Sequence, residues 1–489
     1  MNGANKQFSE ILKNVVTTYG SDLIEDSQRL NALLLDLAPN HSKERKLICS
    51  VLREGIGTEL LDAVVKPEED QNRCIRKCIL QVKNDTWIAE EAAEFAIQVI
   101  ASSIGINCEI KTPKRERESS TSSHSSKRKA IIKGEYSGDP RSIEHVLRSY
   151  NEIGYKAFSA NTELKELNIP DSITVISARA FQNCINLEAV QLPSSLESLG
   201  ECVFCGCTKL RSIKLLNNKT YGVINGMLVN KQSKTLIRFQ NEQGRDKCQI
   251  PSEIGSIEPY AFDRSPVGQI YLPKSVTRIK RNALFQCMNL QEINVDPKNT
   301  SFTSIDGVLH SKNIKKLLRY PSGKKSGNYY IEDGVEEISD CAFSGACYLT
   351  SITLTNEVKK IGTRSFENCI RIESLLLPAS VEVIGERAFQ GCEGLSSVML
   401  PKSISEIGDF AFYDCKSIRT ISVPQKVQKI GHAAFKDCAA LQRIVIQKDV
   451  HFLGDGVFDG CSPDLEVCVR DNQYVEAFCR TRGIKVSKL

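Results

Sequence analysis

Leu377-Pro378-Ala379-Ser380-Val381-Glu382-Val383-Ile384-Gly385-Glu386-Arg387-Ala388-Phe389-Gln390-Gly391-Cys392-Glu393-Gly394-Leu395-Ser396-Ser397-Val398-Met399 is followed by Leu400-Pro401, and the pattern begins again. Cys369, Cys392, Cys415, Cys438 and Cys461 stand 23 residues apart, as do Ile361, Ile384, Ile407, Ile430 and Leu453. Ile169-Pro170 to Cys184, Leu192-Pro193 to Cys207 and Leu272-Pro273 to Cys287 fit the same frame. A fixed period of this length is the mark of a solenoid, in which each unit buries its apolar face only by stacking on its neighbours. That also explains how 489 residues can be ordered without one oversized core, since single cores stop growing near ~250–300 residues.

Two longer units carry a symmetry of their own. Ile224-Asn225-Gly226 and Leu236-Ile237-Arg238-Phe239 recur 81 residues later as Ile305-Asp306-Gly307 and Leu317-Leu318-Arg319-Tyr320. Asn-Gly and Asp-Gly tolerate positive φ, which predicts hairpins within insertions at 216–249 and 296–330. The solenoid is expected over 141–469, and 470–489 reads as a capping helix and strand. Upstream, Ser119 to Ser126 lies between Lys114-Arg115 and Lys127-Arg128-Lys129. Serine and charge without apolar residues predict a flexible linker over 107–140. Residues 1–106 show helical spacing instead: Phe8, Ile11, Leu12, Val15 and Val16 close at Tyr19-Gly20, Leu30 to Leu37 follow, and a last helix runs from Trp87 to near Gly105. Roughly five helices make a small all-α domain.

The formal charge of +5 is spread thinly over the chain, without the basic density that a nucleic-acid binder uses to displace counterions. No nucleic-acid partner is expected. No stretch reaches the ~20 apolar residues that span a bilayer, and Met1 to Val16, interrupted by Lys6, Glu10 and Lys13, lacks a signal-peptide core. A cytoplasmic location without membrane insertion is the expectation, with the nineteen cysteines present as thiols.

No constellation for chemistry emerges, and neither cofactor nor metal is expected. One cysteine per repeat at one site reads as buried structural thiol. Cys202 and Cys205 differ, since they stand where the preceding repeat has Arg179 and Gln182, and they should be more exposed than Cys207. A zinc site needs four ligands, and no second Cys-x-x-Cys pair appears. Cys74 and Cys78, four apart on a helix, read as packing. The six histidines form no recognisable catalytic or metal-binding motif. Gly385, Gly408 and Gly431 are expected to give the turn after each Ile its backbone freedom.

The Ile-Gly, Ala-Phe, Cys and Leu-Pro landmarks from Ile153 to Val469 closely resemble the BspA-like leucine-rich-repeat family. The resemblance implies a right-handed solenoid with one main parallel sheet, and a role in recognition or adhesion. Arg29-Leu30, Leu33-Leu34-Leu35-Asp36-Leu37-Ala38-Pro39 and Gly55-Ile56 resemble a helical domain at the front of Gram-positive multidomain proteins. The fold class is therefore an α domain followed by a β-solenoid of leucine-rich repeats. In Leu395-x-x-Val398-x-Leu400 the named residues point inward and the residue between the last two points out. The outward ladder reads Gln191, Lys214, Asn294, Thr353, Leu376, Met399, Ser422 and Val445. Leu376 and Met399 are adjacent apolar side chains suited to a protein contact, although scattered exposed apolar residues are also ordinary on strands. The expected function is non-enzymatic recognition of a protein partner through this face, with the helical domain supplying a second contact or self-association. A surface or secreted adhesin is the alternative.

Overall fold

The computed structural model describes residues 3–489 except for several short stretches between 25 and 89, and for 107–129, 132–142, 241–245 and 448. Trp87 and most of the predicted linker lie outside the described residues. The N-terminal part is helical: Gly3–Tyr19, a 3-10 turn at Ser21–Ile24, then Ser42–Leu52, Ile56–Val64 and Glu90–Ser103. Phe8, Leu12, Val15 and Val16 form one core with Ile48, Val51, Ala96, Ile97 and Ile100. Gly20, at φ +100°, ends the first helix, with its N–H donating to the Val16 carbonyl at 3.0 Å. Only glycine takes that conformation without strain.

From about residue 152 the chain winds into a β-solenoid of about 14 turns. Each rung contributes two short strands. The Ile-Gly strands stack in one parallel set, as in Lys360–Ile361, Val383–Ile384, Glu406–Ile407, Lys429–Ile430 and Phe452–Leu453. The strands before each Leu-Pro stack on the other side, for example Ser374–Leu376 on Ser397–Met399 and Thr420–Ser422 on Arg443–Ile446. Between the sheets runs a column of phenylalanines. Phe343, Phe366, Phe389, Phe412, Phe435 and Phe458 stack with centroids 4.8–6.3 Å apart and rings within 14° of parallel.

The expected hairpins are present: Tyr221–Ile224 pairs antiparallel with Met227–Asn230, and Phe302–Ile305 with Val308–Ser311. Asn225 and Gly226 (φ +51° and +76°) and Asp306 and Gly307 (+48° and +74°) make the tight turns. Each hairpin is fastened by a buried asparagine. Asn299 Nδ2 donates to the carbonyls of Pro273 (2.9 Å) and Val276 (2.8 Å), while its Oδ1 accepts from the N–H groups of Ser301 and Phe302, both 2.9 Å. Asn218 makes the equivalent four bonds one duplication earlier. Asn472 repeats the device at the end, donating to Val450 and capping the helix Gln473–Thr481. The strand Lys485–Lys488 then pairs with Glu466–Val469.

Two expectations need correction. Gly385, Gly408 and Gly431 do not take positive φ; that conformation falls two residues on, at Arg387, Phe410 and Ala433. The glycines serve close approach instead. A Cβ at Gly385 would lie 2.7 Å from Thr363 N, one at Gly408 2.9 Å from Glu386 N, and one at Gly431 2.5 Å from Asp409 N. The linker, expected to run to 140, is interrupted by a strand at Ala130–Ile131, which pairs in parallel with Glu152–Ile153. An uncovered first rung would present unpaired N–H and C=O groups, and this apolar pair covers them.

Candidate functional site

The two strand sets present chemically different faces. On the Ile-Gly side many outward residues are charged and joined across rungs, with Val383 an apolar exception. Glu337 receives Lys316 at 2.8 Å and Lys360 at 3.4 Å, Glu336 receives Lys315 at 2.8 Å and Lys359 at 3.2 Å, and Lys429 meets Glu406 at 2.5 Å. The partners hold the Glu336 carboxyl below its ordinary range, chiefly through the Lys315 bond. Exposed pairs of this kind contribute little to stability, and they keep the face hydrated.

On the other side, alternate residues of each strand point to solvent, giving two outward rows. One row reads Asn328, Ser351, Ser374, Ser397 and Thr420. The second reads Tyr330, Thr353, Leu376, Met399 and Ser422. Asn328 is register partner to Ser351 and Tyr330 to Thr353; Ser374 is partner to Ser397 and Leu376 to Met399. Over these five rungs no outward residue of either row is charged. Tyr330 is 71% exposed, Leu376 68% and Met399 66%. At ~4.8 Å per strand the apolar row extends for roughly 20 Å, beside a row of small hydroxyl and amide groups. Such a face can be covered without stripping water from any ion, the step that makes burial of charge costly.

The residues expected on the outward ladder fall into separate groups. Gln191 and Lys214 are register partners, both exposed, in a first sheet that begins with Asn168. Asn294 is half-buried beside Tyr271, in a second sheet. Thr353, Leu376, Met399 and Ser422 are exposed in the second half, and Val445 is half-buried. Sequence reasoning passed over Tyr330, the most exposed of the apolar row. The signal was available: Ile331 holds the place of Leu377, so the residue before it had to point outward.

The cysteine column is a hydrogen-bond ladder. The thiols of Cys369, Cys392, Cys415, Cys438 and Cys461 donate to the carbonyls of Phe343, Phe366, Phe389, Phe412 and Phe435, at 3.1–3.2 Å. Burial pushes Cys392 and Cys461 up to about 12 and Cys369 and Cys415 well above the free-thiol value, which leaves them inert as nucleophiles. Cys202 is half-buried. Cys205, contrary to expectation, is nearly as covered as Cys207, at 8% against 1% exposure. Next to it, the Gly206 N–H donates to Asp263 of the following rung at 2.6 Å, and Arg238 of the first hairpin lines the same cleft. Among the described residues, no three His, Cys, Asp or Glu side chains converge to hold a metal ion, and no helix is long and apolar enough to cross a membrane.

The geometry of period, paired sheets and landmark core defines a leucine-rich-repeat solenoid. The family model of the BspA type leucine rich repeat region matches in six copies, over residues 141–237, 236–317 and 327–464, and the chain belongs to that family. A search of the curated proteins finds no match. Similar solved structures include a leucine-rich repeat protein from Eubacterium ventriosum, 22% identical, covering 64% of this chain and 88% of its own, with a TM-score of 0.47. A leucine rich cell surface protein from Faecalibacterium prausnitzii is 24% identical over 65% of this chain and 82% of its own, TM-score 0.42. The pneumococcal vaccine antigen PcpA is 17% identical over 70% and 83%, TM-score 0.37.

Proposed function

We propose that this chain is a non-enzymatic recognition protein that binds a protein partner through the uncharged sheet face carrying Tyr330, Thr353, Leu376 and Met399. The observation that supports this reading is the contrast between faces. One is laced with ion pairs, and the other is free of charge for five rungs and raises three large apolar side chains into solvent. Contiguous exposed apolar surface bordered by polar groups marks interaction sites, and an aromatic and a methionine are enriched in the centres of such contacts. The location proposed is the cytosol, a reducing compartment in which thiols that donate to Phe carbonyls stay reduced; cell fractionation tests this. The helical domain is proposed to supply a second contact or self-association.

The test of the binding face is co-purification from native extract with wild type and with the Leu376→Glu/Met399→Glu double variant. Both positions are outward, so strand content by circular dichroism should not change. A protein held by wild type and lost from the variant is the expected result. Equal retention would place the contact elsewhere on the chain.

A further inference from the structure

At each hairpin insertion the solenoid omits one turn of the Ala-Phe-x-x-Cys type. Leu236 pairs with Ile257 and the Phe239 ring packs against Phe262 with centroids 5.3 Å apart, so the hairpin strand stands in for a rung. The turn of the rung below, at 200–207, then faces Glu258 to Tyr260 across a cleft of about 250 Å³. Lys280 spans its rim, meeting Glu201 at 3.3 Å and Glu258 at 2.7 Å. At the second hairpin the equivalent turn carries Asn282 and Phe285; ordinary rungs carry pairs such as Arg387 and Gln390 or Phe410 and Tyr413. Among the described rungs, only the one lining the first cleft has sulphur at both positions, Cys202 and Cys205.

The turn geometry brings these two residues close together. Cys205 N–H donates to the Cys202 carbonyl at 3.2 Å, closing an i to i+3 turn whose ends lie within ~7 Å, close to the span a disulfide bridges. Both side chains line the cleft. The column cysteines, by contrast, donate to backbone carbonyls. Access is graded: Cys202 is half-buried in the cleft wall, and Cys205 is buried behind it. The cleft lining carries both signs, Glu201 and Glu258 with Arg238 and Lys280. Arg238, itself buried, has an Nη1 without a hydrogen-bond partner, 3.8 Å from Asp263. Bound in the cleft, a small ligand carrying a carboxylate would meet Arg238.

We propose that Cys202 and Cys205 form a reversible dithiol–disulfide site that reacts with small anionic disulfides of the glutathione class. The Cys202 thiolate attacks one sulphur of the ligand. The ligand's S–S bond breaks, one half leaves as a thiolate, and a mixed disulfide forms on Cys202. The departing thiolate takes up the Cys205 proton, and Cys205 attacks the Cys202 sulphur, expelling the second half. Two protein thiols are oxidised by two electrons, and one small disulfide is reduced to two thiols.

The test is incubation of the full chain with glutathione disulfide, an acid quench, alkylation, and intact-mass and peptide mass spectrometry. Wild type should lose two hydrogens, mapped to a Cys202–Cys205 bond. Cys205→Ser should stop at a mixed disulfide on Cys202. Cys202→Ser should show neither product, because Cys205 is shielded. Circular dichroism of each variant confirms that it is folded. A wild-type chain that stays reduced, one that rests as the mixed disulfide, or a bond mapped to another pair such as Cys74 and Cys78, whose sulphurs lie 4.0 Å apart, would overturn the proposal.

Discussion

Replacing Asn299 by Ala removes one side chain that is 1% exposed and makes four hydrogen bonds of 2.8–2.9 Å. Two carbonyls of the rung below and two N–H groups at the start of the hairpin lose their partners together. At about 1 kcal/mol net for each bond, the loss should be about 4 kcal/mol, since the orphaned groups stay buried. Asn299→Asp sharpens the test. It keeps the oxygen that accepts from Ser301 and Phe302 but turns a carboxylate oxygen toward the carbonyls of Pro273 and Val276. It should cost at least as much as alanine. Lys298→Ala, at the exposed neighbour, should stay within about 0.5 kcal/mol. Repeat arrays open locally, so the readout is native-state hydrogen exchange of the amides of Val308–Ser311 with and without urea. A loss below about 1 kcal/mol for Asn299→Ala, or an aspartate milder than the alanine, would refute the role of asparagine as the hairpin's fastening.

Three further outcomes follow from the same geometry. Phe389→Ala should cost about 3–5 kcal/mol locally, since the ring is buried and stacked on both sides; exchange in rungs 366–412 should rise well above that in the N-terminal helices. Gly431→Ala should cost about 1–3 kcal/mol, because its Cβ would meet Asp409 N at 2.5 Å; faster exchange at Lys429–Ile430 would report it. Glu332 supplies a pH dependence. Burial pushes its carboxyl up, but the bonds from His310 (2.8 Å) and Tyr329 (2.7 Å) outweigh this and hold it below the ordinary value. A depressed carboxyl stabilises the fold above its unfolded pKa of about 4.3 and loses that contribution as pH falls through the folded value. The stability gap between wild type and Glu332→Gln, measured by urea unfolding, should be widest above pH 5 and close on acidification.

The rung was legible in the sequence because each landmark meets the same surroundings in every copy. Ile384 abuts Ile361 and Ile407, and Phe389 abuts Phe366 and Phe412. The hairpins were legible through their turn chemistry alone. What escaped depends on contacts between rungs. Gly431 looks like a turn glycine in one repeat, and only the stacked backbone of Asp409 shows that it makes room. Asn218 and Asn299 recur at the duplication's interval, but their carbonyl partners lie 22–26 residues upstream. Cys205 reads as exposed from its repeat position, yet it is buried in the wall of a cleft that the first insertion creates. Tyr330 was missed where the hairpin breaks the Leu-x-x-Val spacing. The strand at Ala130–Ile131 is too short to register against its charged surroundings.

The binding face is tested most directly by oxidative footprinting of the chain with and without its captured partner, read at single residues. Met399 lies next to Leu376 in the apolar row, and Met288, 44% exposed, follows Cys287 on a turn outside that row and serves as the internal control. Protection of Met399, Leu376 and Tyr330 with Met288 unchanged is the predicted result. Protection of Met288 with Met399 still fully reactive would contradict the assignment of the uncharged sheet as the recognition surface.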